Sequence, residues 1–147
     1  MTILSQQALF SDKQAVTATA VSDNAVQISK AGRITLNGAD QTSDAGAGCE
    51  VPLMVQVTTA FAGNTGLQVQ LIQSDTVDGN GDLTSSEVVA SSESIAVADL
   101  VAGYRFNLSR IPEKTTKKYI QLNYVVAGTA TAGNVTAGLV AANAQGL

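Results

Sequence analysis

Apolar and polar residues alternate with a period of two along much of the chain. Leu53, Val55 and Val57 alternate with Met54, Gln56 and Thr58. Leu67, Val69 and Leu71 alternate with Gln68, Gln70 and Ile72. Ile120, Leu122, Tyr124 and Val126 alternate with Tyr119, Gln121, Asn123 and Val125. Successive side chains of a strand point to opposite faces, so each set predicts a strand with one apolar face. Weaker patterns predict strands over 15–21, 25–28, 34–36, 88–92, 105–109 and 135–141. No segment sustains a period of 3.6, and 96–102 offers a single helical turn before Gly103.

Turn chemistry falls between these runs. Asn37-Gly38 and Asp78-Gly79-Asn80-Gly81 supply residues that tolerate positive φ. Gly63-Asn64 and Gly66 are expected to end one strand before the next begins at Leu67, and 128–133 to separate the last two. Pro52 stands at a strand entry and Pro112 after a strand end, where a missing N–H does least harm. Together about eight short antiparallel strands are expected, which predicts an all-β domain, a β-sandwich or jelly roll. Residues 1–14 lack alternation and are expected to form an extended N-terminal arm anchored by Leu9 and Phe10. Residues 15–147 then form one domain, because 147 residues suffice for one core and no linker divides them.

Composition narrows the function. Charged residues are only 14%, against a usual share of roughly 25%. Ala, Thr, Ser, Val and Gly take their place. Short side chains lose little entropy when buried against a neighbour, which suits an assembly subunit. The net charge of −4 argues against nucleic acid, whose binding needs a basic face. No apolar run approaches the ~20 residues of a membrane span. The first ten residues lack the basic and long apolar regions of a signal peptide, so synthesis in a bacterial cytoplasm is expected.

Histidine is absent and Cys49 is the only cysteine. This excludes Ser-His-Asp and Cys-His catalysis, His-containing zinc sites and an intrachain disulfide. A pair of carboxylates could still serve a glycosidase, but tryptophan is absent and aromatics are 4%, so no enzyme and no cofactor are expected.

Residues 76–87 resemble a calcium loop in part, through Asp78, Asn80, Asp82 and Glu87. Thr76 stands where the first carboxylate is needed, and both flanks read as strands. A β-hairpin loop accounts for the same residues. Asn107-Leu108-Ser109 and Asn134-Val135-Thr136 fit the glycosylation acceptor pattern but read as strand residues.

Charge is unevenly placed. No Lys or Arg lies between Arg33 and Arg105, an interval holding Asp75, Asp78, Asp82, Glu87, Glu93 and Asp99. Arg105, Arg110, Lys114, Lys117 and Lys118 then crowd together. These are either solvated loops or complementary patches for contact with a partner, in which Arg110, Lys114, Lys117 and Lys118 would join Leu9 and Phe10 as interaction residues.

Four stretches carry a family likeness: Leu9-Phe10-Ser11-Asp12-Lys13-Gln14-Ala15; Val51-Pro52-Leu53-Met54-Val55-Gln56-Val57; Ala98-Asp99-Leu100-Val101-Ala102-Gly103 leading into Phe106-Asn107-Leu108; and Tyr119 to Val126 followed by Gly128-Thr129-Ala130 and Val135 to Leu139. In order and spacing the chain resembles the small capsid cement (decoration) proteins of short-tailed bacteriophages. The resemblance implies a jelly-roll structural protein on the outer capsid surface of the virion. It would act as a dimer or trimer clamping neighbouring major capsid protein subunits around packed DNA. It names no binding residues. The competing expectations are a receptor- or carbohydrate-binding module of a tail fibre or spike, or another head-completion or tail protein.

Overall fold

A computed structural model describes residues 4–36, 39–44, 51–112 and 115–140. Cys49, Lys114, the Asn37-Gly38 turn and residues 1–3 of the expected arm lie outside them.

Eleven strands follow in chain order: β1 (Leu4–Ala15), β2 (Ala20–Val21), β3 (Val26–Gln27), β4 (Ser29–Leu36), β5 (Ala39–Asp44), β6 (Leu53–Ser74), β7 (Thr76–Val77), β8 (Leu83–Thr84), β9 (Glu87–Ser91), β10 (Ile95–Ala96) and β11 (Tyr119–Val140). Apart from one 3₁₀ turn at Val97–Asp99, the described residues hold no helix. Seven strands make one antiparallel sheet around the central pair β6 and β11. β4 with β5, and β7 with β8, form separate two-stranded ladders. The all-β antiparallel architecture predicted from alternation is the one observed.

The connectivity corrects two expectations. β6 and β11 are each 22 residues long and run unbroken through the glycine-rich stretches expected to be turns. Straight, each would span about 70 Å at ~3.3 Å per residue. Instead the register slips repeatedly between Ala127 and Val135 of β11, opposite Gly66 to Val57 of β6. Gly63 sits within this slip at φ +86°, in left-handed backbone. Bulges of this kind bend a strand and raise its twist without ending it.

The bend divides the sheet into two halves. One half orders β1, the end of β11, the start of β6 and the extended segment 100–111. That segment runs along β6 through backbone bonds such as Val57 N to Tyr104 O (2.9 Å), Phe106 N to Val55 O (3.0 Å) and Leu53 N to Ser109 O (2.9 Å). It replaces the regular strand expected over 105–109. The other half orders β2 and β3, the start of β11, the end of β6, then β9 and β10. The two half-sheets thus make a sandwich-like arrangement joined through β6 and β11.

Both halves feed one core. Val55, Val57 and Phe61 join Leu67, Val69 and Leu71 from β6, and Ile120, Leu122 and Tyr124 join Val135 and Ala137 from β11. The inward residues of β11 are even-numbered before the bend and odd-numbered after it. The bulges make that change of phase possible, since a one-residue slip turns every side chain over.

The second correction concerns the N terminus. Residues 4–14, expected as an arm, belong to β1, which pairs with the end of β11 from Leu4 opposite Val140 to Ala15 opposite Asn134. Phe10 is fully buried in the core. Three register shifts within β1 hide its alternation from a period-two reading.

Candidate functional site

The hairpin of β7 and β8 is built by its own loop chemistry. Asp78 Oδ1 accepts the amides of Asn80 (2.8 Å) and Asp82 (3.0 Å), while Asp78 N donates to Asp82 O (2.8 Å). A side chain that mimics a backbone turn in this way is a strong reason for Asp at the position. The loop is then tied to the sheet by Gln121, which is fully buried. Its Nε2 donates to Asp82 Oδ1 (3.0 Å) and Ser22 O (2.8 Å), and its Oε1 accepts Leu83 N (3.1 Å).

The four calcium-loop candidates are therefore employed in other ways or stand apart. Asp78 and Asp82 hold the hairpin, and Glu87 Oε1 accepts Gln73 Nε2 at 2.6 Å. The side chain of Asn80 is exposed. Among the described residues, no three of His, Cys, Asp and Glu gather where they could hold a metal ion. The flanks are strands, as a hairpin requires.

The interaction candidates scatter. Leu9 is half-buried and Phe10 wholly so, which makes Phe10 a core residue and not a surface anchor. Arg110 is exposed, in a bridge opposite Pro52. Lys117 Nζ meets Asp75 Oδ2 at 3.0 Å, and the Lys118 amide donates to Asp75 Oδ1 at 3.3 Å. The hydrogen bond from Lys117 holds the Asp75 carboxyl below its usual range. The acidic and basic stretches therefore meet inside one subunit at this point. Gln73, nearly buried, fixes the basic turn as well: its Oε1 accepts the amides of Thr116 (2.9 Å) and Lys117 (3.3 Å).

Sequence reasoning missed a second polar cluster. The Tyr124 hydroxyl and Ser11 Oγ share a buried hydrogen bond of 2.8 Å, and Ser11 Oγ donates to Gln14 Oε1 at 2.6 Å. Gln14 also bonds the backbone of Val21 and Asp23. Burial pushes the Tyr124 phenol well above its ordinary pKa, so it stays protonated. This cluster staples β1 to β11.

An open cleft of about 260 Å³ is lined by Ser91, Ser92, Glu93, Ile95, Tyr104 and Asn107. Its walls come from the β9–β10 connection and from the 100–111 segment, one flanking each half of β6. Of its lining residues, Glu93 and Asn107 stood out in the sequence, each for another reason, and nothing in the sequence joined them.

A family model named Bbp16 matches residues 10–139, from the middle of β1 to the end of β11. The chain belongs to the Bbp16 family. The match takes in both central strands and both half-sheets, so the Bbp16 domain includes the whole core. No curated protein matches the chain.

Proposed function

We propose that this Bbp16-family protein is a capsid cement protein. In this reading it binds the outer surface of a phage head as a homo-oligomer and clamps neighbouring major coat subunits. The family name hints at a phage protein. One observation carries the reading further. The four stretches that resemble cement proteins lie in β1, at the start of β6, in the segment around 100–111 and in β11. The first three lie beside one another and beside the end of β11 in one half-sheet, while Tyr119 to Val126, at the start of β11, carries the likeness into the other. The resemblance thus follows segments that pair with one another around the central strands β6 and β11.

The physical parts suit the role. Two strands that pass through both half-sheets make a stiff body, because neither half can hinge without breaking their ladder. A clamp needs that stiffness, and small gains per copy multiply when each copy binds more than one coat subunit. No catalysis and no cofactor are needed.

The test is reconstitution. Purified protein is added to DNA-filled heads that lack it, the particles are sedimented, and the temperature of DNA release is measured. Saturable co-sedimentation and a higher release temperature are expected. Protein that stays in the supernatant would refute the reading. Lys118→Glu is expected to weaken binding if the basic turn faces the coat.

A further inference from the structure

The cleft lies where β9 and β10 and the 100–111 segment meet along the edge of β6 that faces away from β11, and it is pre-formed. Ser92 is nearly buried and its Oγ accepts Val69 N (3.0 Å) and donates to Glu93 O (2.8 Å), which fixes the turn that presents Glu93. Ile95 pairs with Leu67 on β6. β10 closes on the bend because Gly66 has no side chain: a Cβ there would come within 2.9 Å of Ile95 O. On the opposite wall the Tyr104 ring meets Phe106 edge-to-face, with centroids 5.3 Å apart and planes at 87°. Its backbone is held by bonds to Val57 and Val101.

The side chains of Ser91, Glu93, Tyr104 and Asn107 make no hydrogen bond with other described residues. Four polar groups with no partner among the described residues therefore border one small cleft. The carboxylate only accepts, whereas the amide and the two hydroxyls both donate and accept. Ile95 and the Tyr104 ring add an apolar wall. A ligand rich in hydroxyls, which donate and accept together, and carrying one apolar C–H face matches this set.

We propose that this cleft is a saccharide subsite that takes a single pyranose ring, with Glu93 and Asn107 bonding ring hydroxyls and Tyr104 covering the C–H face. With one aromatic wall the affinity of each site is weak, on the order of millimolar. Display in many copies would raise the avidity for a glycan surface.

The experiment uses saturation-transfer NMR on the purified protein with the methyl glycosides of glucose, galactose, mannose and N-acetylglucosamine. At least one is expected to give a saturable signal. Glu93→Gln and Asn107→Ala are each expected to weaken it about tenfold, since each removes a bond to a ligand hydroxyl. Both residues are exposed, so the circular dichroism of both variants should be unchanged. Val77→Ser, at an exposed position on the β7–β8 hairpin and outside the cleft, should bind as the parent does. Absence of signal for all four glycosides would overturn the proposal. So would a signal that both cleft variants retain in full.

Discussion

Gly133 is the position where a single methyl group should do most damage. It lies in the bend of β11 at φ +142°, a backbone conformation that residues with a Cβ rarely adopt. A Cβ built there would stand 2.4 to 2.6 Å from three ring atoms of Phe61. Phe61 is 5% exposed and part of the core, so its ring cannot swing out without exposing apolar surface. The ring covers the glycine across the strand pair, a known device for rescuing glycines in sheets. Two costs add in Gly133→Ala. Backbone strain contributes about 1–3 kcal/mol. Overpacking against the ring contributes about 1–3 kcal/mol more. The sum, about 2–6 kcal/mol, corresponds to a fall in Tm of roughly 5–20 °C for a chain of this length. Gly103→Ala is the control, because Gly103 also has positive φ, at +94°, but nothing stands within 4 Å of its Cβ position. It should lose only the backbone part, about 1–2 kcal/mol. The assay is urea unfolding at fixed protein concentration, read as a change in midpoint at constant slope. Phe61→Leu combined with Gly133→Ala should show coupling of about 0.5–3 kcal/mol, because the smaller side chain relieves the clash. Equal losses at Gly133 and Gly103, or strict additivity in the double variant, would refute the reasoning.

Other outcomes follow from the polar clusters. Gln121→Leu strips partners from Ser22, Asp82 and Leu83, so it should cost about 2–4 kcal/mol and speed amide exchange at Leu83; exchange no faster than in the parent would contradict the tie between hairpin and sheet. Asp78→Ala removes the acceptor of two amides and should cost about 1–2 kcal/mol, while millimolar calcium leaves the Tm of the parent unmoved; a rise in Tm with calcium would restore the metal reading. Asp75 should titrate below the ordinary aspartate range in the folded protein, chiefly through its hydrogen bond from Lys117. Because the folded value lies below the unfolded one, the pair's small stabilisation is present above the unfolded value and fades as pH falls through the folded one. Lys117→Ala should raise the Asp75 midpoint in an NMR titration, and an unchanged midpoint would show that the ion pair does not persist in solution.

The strands at 53–57, 67–71 and 120–126 were legible because their alternation is local. The glycine stretches were legible as places where the backbone changes direction, but not as bends within continuous strands. Positive φ at Gly63 or Gly133 serves a hairpin and a bulge equally, and only the pairing across β6 and β11 distinguishes them. A strand of 22 residues also lies far outside the usual length of five or six, which favours dividing it. β1 escaped detection for a related reason: each register shift turns the next residues over and erases the period. The Asp78 hairpin was readable since its bonds span four residues. The cleft was not, because its walls come from 91–95 and 104–107, and they meet only after both segments are laid along opposite halves of one strand. Gln121 and Gln73 resembled ordinary outward polar residues of strands until their partners were placed.

The central claim, a cement role on the phage head, is tested most directly by copy number. Virions are purified and denatured, and the 15.0 kDa band is quantified against the major coat protein. A ratio near one copy per coat subunit, or a simple fraction of it, is the predicted result. A trace band, of the size expected for a vertex or tail component, would contradict it.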